Sequence, residues 1–210
     1  MNSMINPSVL TVFIPTFFFV SATPGMCMTL SMTLGMTIGL RRTFWMMWGE
    51  LLGVGLVSLA AVAGVAALML NYPAAFLVLK YIGGAYLGYL GIQMWRSKGK
   101  MALCEENETT IKLSARGLAL QGFVTAIANP KGWAFMISLL PPFIDPLQSL
   151  APQVTILLLI ILTIEFCCLI SYAAGGRTLR NVLRQKSTLK TMNRIAGTLM
   201  IGVGIWLAAG

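Results

Sequence analysis

The chain has 210 residues, 57% of them apolar and only 10% charged, with a mean hydropathy of +0.81. Soluble domains carry about 25% charged residues, so an ordinary cytosolic enzyme, a secreted disulfide scaffold and a disordered chain are excluded, and an all-α polytopic membrane protein is predicted. The net charge of +9 has no basic stripe interleaved with aromatics to serve nucleic acid; it follows the enrichment of cations in cytoplasmic loops of membrane proteins.

Polar breaks divide the chain into six apolar stretches, each read as a transmembrane helix. The first runs from about Ser8 to Leu40, too long for one simple span, and Pro24-Gly25 predicts a break within it because proline removes a backbone donor. Arg41-Arg42 ends it. The second covers about Thr43 to Leu70 and stops at Asn71-Tyr72-Pro73. Ala74 to Trp95 is the third, followed by a polar segment from Arg96 to Arg116. Gly117 to Leu140 is the fourth, interrupted by Asn129-Pro130-Lys131. After the turn Pro141-Pro142-Phe143-Ile144-Asp145-Pro146, the fifth spans about Gln153 to Gly175. A basic loop then leads to the sixth, from about Thr191 onward.

Cations set the orientation. Arg41 and Arg42 lie in the first connection, Arg96, Lys98, Lys100, Lys112 and Arg116 in the third, and Arg177, Arg180, Arg184, Lys186, Lys190 and Arg194 in the fifth. The second and fourth connections have none, so odd connections are expected in the cytoplasm and both termini outside. The uncharged start Met1 to Ser8 agrees, since a secretory signal begins with a basic region. Lys80, near the outer end of the third span, is expected to snorkel to the interface.

The two halves of the chain are alike. The stretch from Ile82 to Ile92 parallels that from Ile195 to Ile205, with Ile, Gly, Gly and Ile at matching offsets. Spans one and four each carry a proline break, at Pro24 and Pro130, and spans two and five each carry one acid, Glu50 and Glu165. This reads as one transporter domain over residues 1–210, made of inverted repeats at about 8–96 and 117–210. An odd number of spans per repeat forces opposite orientations, and such 3+3 inverted repeats with broken helices mark transporters whose site lies near the midplane. Gly83, Gly84, Gly88 and Gly91 are expected to pack within the monomer or across a homodimer. Met26, Met28, Met32 and Met36 recur near helical spacing and are expected mainly in the core.

A charge inside the bilayer asks for a partner or a function. Glu50 lies two turns beyond Arg41-Arg42, which offers a bland pairing, whereas Glu165 is deeper, with Thr163 and Ser171 as nearby hydroxyls. Dehydration favours the neutral form of a carboxyl in general, which suits a proton carrier. At Asn129-Pro130-Lys131, proline frees a carbonyl, asparagine offers donor and acceptor, and lysine brings a cation to mid-span; such backbone is tolerated where protein or a watery cavity satisfies it. Pro24-Gly25 supplies the opposing break, with Ser21 and Thr23 as hydroxyls. Half-helix amides and Lys131 suit a carboxylate, and Glu50 or Glu165 suits an ammonium or a proton. Asp145 is either a turn residue or a gate acid.

Pro24-Gly25, Asn129-Pro130-Lys131, Phe143-Ile144-Asp145 and the stretch Lys80 to Gly91 together resemble the lysine-exporter superfamily, the LysE/RhtB group, over nearly the whole chain. The resemblance implies a six-span exporter of amino acids or their derivatives in the bacterial inner membrane, driven by the proton-motive force. Two departures stand out. The family's usual Pro-Gly-Pro has Met26 in place of the second proline, and its second-span acid falls one turn later, where this chain has Val54. Glu50 is therefore matched to that acid by inference.

Other classes fare worse. A membrane thiol relay would use Cys27, three residues after Pro24, but the place after Pro130 is Trp133, and one thiol cannot complete a dithiol cycle. No C-x-x-C pair exists among Cys27, Cys104, Cys167 and Cys168, and the adjacent last two are poorly placed for a mutual bridge. The chain has no histidine, so His-based catalysis and imidazole metal sites are excluded, and an intramembrane hydrolase would lack an activating base. No catalytic residue, metal or cofactor is expected. A passive channel differs from a carrier in needing no gradient.

Overall fold

The computed structural model describes residues 7–96, 114–140, 143–145, 148–184 and 186–209. Lys98, Lys100, Cys104, Lys112, Pro141, Pro142, Pro146 and the first six residues lie outside the described set, as does the side chain of Lys80. The regular structure among the described residues is helical: α1 Pro7–Ala22, α2 Met26–Ile38, α3 Leu40–Asn71, α4 Pro73–Arg96, α5 Ala115–Ile127, α6 Pro130–Leu139, α7 Leu150–Arg184 and α8 Lys186–Ala209. Within them, Leu40–Gly64 and Leu150–Gly176 are each long and apolar enough to cross a membrane, and Leu10–Ala22 with Met26–Ile38, bent by 55°, make a third candidate when taken together.

The connections differ from expectation at two points. Arg41 and Arg42 do not form a loop; they sit in the first turn of α3, because the α2–α3 turn is made by Gly39 alone, at φ +79° and ψ 158°. That backbone geometry is open essentially to glycine only. The basic stretch after Gly175 is also largely helical. Gly176, at φ +36°, kinks α7, and Arg177, Arg180 and Arg184 continue the helix beyond the kink, while Lys186, Lys190 and Arg194 belong to α8.

Packing crosses between the halves of the chain. α3 lies along α5, α7 along α2, and α4 along α8. Glycines permit the close approach: a Cβ at Gly91 would stand 2.6 Å from the carbonyl oxygen of Gly197, one at Gly197 the same distance from that of Gly91, and one at Gly204 2.6 Å from that of Gly84. Gly84 and Gly91 are thus used inside the chain, as small residues are wherever membrane helices touch backbone to backbone. At one end of this seam the indole of Trp95 donates to Thr198 at 2.9 Å and carries the Arg194 guanidinium 4.9 Å above its ring.

Two hydrophobic clusters fill the interior. One gathers Phe13, Phe17 and Val20 of α1 with Val57 of α3, Phe135 and Met136 of α6, Leu157 and Ile161 of α7, and Met200 of α8. The other gathers Cys27, Met28 and Met32 of α2 with Met46 and Met47 of α3, Leu118 of α5, and Leu169 and Tyr172 of α7. Met28 and Met32 are core, as their spacing suggests, with thioethers that adapt to irregular gaps. Near the helix ends at residues 22–26 and 127–130, the buried polar residues Ser21, Thr23, Glu50 and Glu165 face one cavity.

Candidate functional site

α1 ends at Ala22, where backbone donors run short, as at any helix end; Thr23 N still donates to Phe19 O at 3.1 Å and to Val20 O at 3.3 Å. Side chains from the second half of the chain supply further donors. The Lys131 ammonium donates to Val20 O at 3.0 Å and to Thr23 O at 3.5 Å, and the Tyr172 hydroxyl donates to Ala22 O at 2.7 Å. A cation at this end also complements the helix dipole. α5 ends in a similar way, with the Trp133 indole donating to Ile127 O at 2.8 Å.

The two helices that restart differ in their caps. Pro130 opens α6, where the missing N–H costs nothing, and the Asn129 side chain accepts from Lys131 N at 3.1 Å. α2 opens on Gly25 with no side-chain cap. Its first backbone bond is Thr29 N to Gly25 O, at 2.9 Å. Gly25 lies beside Lys131: a Cβ there would stand in ordinary contact, 3.9 Å from Lys131 Nζ.

Between these ends is a cavity of about 60 Å³. Its polar wall comprises Ser21, Thr23, Gly25, Cys27, Glu50, Asn129, Lys131 and Glu165; Phe17, Val20, Val54, Val57, Phe135 and Met136 form most of the apolar wall. Of the residues expected in one site, Gly25, Asn129, Lys131, Glu50 and Glu165 all line this cavity. Pro24 and Pro130 stand beside the cavity as the residues bounding the breaks and do not line it.

Asp145 is elsewhere. It is exposed, its backbone N–H donates to Gln153 Oε1 at 2.8 Å, and Gln153 Nε2 donates back to its carbonyl at 3.0 Å. Its carboxylate accepts from Gln148 Nε2 at 3.0 Å. This is a turn fastened to the start of α7.

The two acids have different surroundings. Glu165 accepts a hydrogen bond from Ser21 Oγ and stands within electrostatic reach of Lys131. Thr163 and Ser171, its candidate partners by sequence, instead bond back to Leu159 O and Cys167 O on their own helix. Glu50 is 0% exposed; neither of its carboxyl oxygens has a partner at hydrogen-bond geometry, and the Cys27 thiol and the Glu165 carboxyl are its polar neighbours. It lies close enough to Glu165 for direct electrostatic interaction, while Arg41 and Arg42 are exposed. A buried carboxyl without a partner is costly and asks for an explanation.

Thr23 offers its carbonyl rather than its hydroxyl, which is spent on Phe19 O at 2.7 Å. Cys27 lines the cavity with Asn129 Nδ2 3.8 Å from its sulfur, and the described cysteines Cys27, Cys167 and Cys168 are unpaired. Tyr172 is not among the expected site residues; its only signal in the sequence is a spacing of seven from Glu165, two helical turns along one face of α7.

A family profile described as LysE type translocator matches residues 18–210. The chain belongs to this family. It is 28% identical over 191 residues to the homoserine/homoserine lactone efflux protein of Salmonella typhimurium, covering 90% of this chain and 91% of that one. It is 27% identical over 199 residues to the leucine efflux protein of Salmonella choleraesuis, covering 90% of each. An uncharacterized membrane protein of Vibrio cholerae is 29% identical over 188 residues, again covering 90% of each. No solved structure matches the LysE-type chain.

Proposed function

We propose that this LysE-type translocator is a secondary exporter of amino acids or their close derivatives, coupled to the proton-motive force across the bacterial inner membrane. The observation that carries the reading is Glu50, a fully buried acid on the wall of a cavity between the ends of α1 and α5 and the starts of α2 and α6, its oxygens without a partner at hydrogen-bond geometry. Both curated efflux relatives named above handle amino acids or a derivative, which supports the substrate class.

The reading includes six spans in two inverted halves, with α1–α2 and α5–α6 as the broken lead helices and both termini outside. Glycine pairing supports it. In the sequence repeat Gly84 corresponds to Gly197 and Gly91 to Gly204; in space Gly91 meets Gly197 and Gly84 meets Gly204. Each glycine meets the counterpart of the other, as a two-fold axis between α4 and α8 requires.

The chemistry follows from charge. Two carboxyls and one ammonium share the cavity, and Lys131 offsets one carboxylate. The remaining acid, Glu50, takes either a proton or a substrate ammonium, and this exclusion is the simplest form of antiport. The substrate carboxylate is received by the uncapped amides opening α2, with Asn129 beside them. Purified protein in vesicles loaded with radiolabelled leucine tests this. Export should follow an imposed pH gradient and stop with a protonophore, whereas release indifferent to the gradient would favour a passive channel.

A further inference from the structure

We infer that the end of α1 and Glu165 together form a binding site for a monovalent cation of ammonium type, and that the Lys131 side chain is its built-in occupant. The site stands on geometry, and only its consequence for transport rests on the export reading above. Its ligands are oxygens. Lys131 Nζ lies 3.0 Å from Val20 O and 3.5 Å from Thr23 O, with the Glu165 carboxylate within electrostatic reach. Carbonyls at the C-terminal end of a helix carry the negative pole of its dipole. Val20 O has a lone pair for the lysine although it also accepts from Thr23 N at 3.3 Å. In carriers built on broken helices, half-helix ends of this kind coordinate a coupling cation.

Local structure delivers the charge. Asn129 caps α6 by accepting from Lys131 N at 3.1 Å, and Pro130 takes the first helical position. The lysine backbone is thereby fixed at the start of α6, and the side chain crosses to α1 beside Gly25, where a Cβ would stand 3.9 Å from Nζ and 4.0 Å from Cδ. Ser21 Oγ donates to Glu165 and holds the carboxylate against the same helix end.

The carbonyls alone do not call for a cation. Neutral donors serve elsewhere: the Tyr172 hydroxyl at Ala22 O, 2.7 Å away, and the Trp133 indole at Ile127 O, 2.8 Å away at the end of α5. The positive charge answers Glu165, since a carboxylate left unpaired away from water is strongly disfavoured. A tethered ammonium cannot leave, so this end of α1 takes up and releases no ion during transport, and export is independent of Na⁺ and K⁺.

Lys131 is half-buried on the wall of the cavity. In Lys131→Ala the atoms removed beyond Cβ, a propylammonium in outline, leave a space that joins it. The test is thermal unfolding of this full-length variant in detergent, at fixed pH and ionic strength. Propylammonium chloride at about 0.1 M should recover at least about half of the Tm lost, by binding the folded state alone. It should also restore leucine counterflow, which needs no gradient. 1-Propanol at the same concentration fills the same volume without charge and should do neither. Equal recovery with propanol would mean that Lys131 only fills space and would overturn the inference, as would no recovery of Tm with the amine. Adding Glu165→Gln to Lys131→Ala removes the carboxylate and should weaken the response to the amine; an undiminished response would also overturn it. Should Lys131→Ala not fold, the native protein decides: gradient-driven leucine export should run equally in choline, Na⁺ and K⁺ media. A saturable requirement for Na⁺ or K⁺ would overturn the inference and leave export standing, whereas recovery of Tm by the amine without leucine transport by the native protein would uphold the site and count against the export reading.

Discussion

The ammonium of Lys131 is 3.0 Å from the carbonyl oxygen of Val20, so a cation from the second half of the chain closes the C-terminal end of the first helix. The same lysine offsets the charge of Glu165, whose partner Ser21 is the residue after Val20. The α1 end, the α6 start and the middle of α7 are therefore tied into one polar knot. Glu50 adjoins the knot through Glu165 and Cys27, though neither of its oxygens has a partner at hydrogen-bond geometry.

Lys131→Met should destabilise the protein by about 3 kcal/mol, since removing one member of a buried charge pair strands the other. Thermal unfolding in detergent should show a clear drop in Tm. Adding Glu165→Gln to the same protein should recover part of the loss, because the stranded carboxylate is then gone. A double variant less stable than Lys131→Met would argue against the two groups balancing each other.

Tyr172→Phe tests the second closure of α1. It deletes the hydroxyl that donates to Ala22 O at 2.7 Å and little else. The expected cost is about 1 kcal/mol, or a Tm lower by roughly 2–4 °C for a chain of this size. An unchanged Tm would mean that the carbonyl finds another donor.

The helical architecture and most of the site were legible in sequence because membrane burial leaves few polar residues, and each one inside is informative. Glu50, Glu165, Lys131 and Asn129 were visible as isolated polar groups in apolar stretches, and all line the cavity. What the sequence hid is who pairs with whom. Ser21 serves Glu165 across the fold, while the sequence-near hydroxyls of Thr163 and Ser171 satisfy themselves on their own helix. Lys131 lines the cavity as its place in the chain suggests, but its bonds to Val20 O and Thr23 O at a distant helix end could not be read from the sequence. The turn at Gly39 was hidden too, since a lone glycine beside Arg41-Arg42 does not announce a one-residue connection.

Packing at the α4–α8 seam predicts a contrast between two glycines. Gly91→Ala would place a Cβ 2.6 Å from the Gly197 carbonyl oxygen, whereas a Cβ at Gly88 has nothing within 4 Å. Overpacking costs about 1–3 kcal/mol, so Gly91→Ala should lower Tm and Gly88→Ala should leave it within experimental scatter. Equal effects would remove the backbone contact as the reason for glycine at 91.

Cys27→Ser should keep leucine export within about twofold of the native rate, because the thiol lines the cavity without a second cysteine to exchange with among the described residues. Loss of export with normal folding and an unchanged Tm would reopen a thiol role.

Exchange of a proton for a substrate amine at Glu50 is tested by pH-gradient-driven leucine export from vesicles by Glu50→Gln, set beside the native protein and Glu50→Asp. The amide variant should fold with a Tm no lower than native, bind no proton at this position and export at less than about 1% of the native rate, a loss of roughly 2.7 kcal/mol or more. The aspartate variant should retain measurable gradient-driven export. Export by Glu50→Gln at the native rate and with native dependence on the gradient would contradict exchange at Glu50.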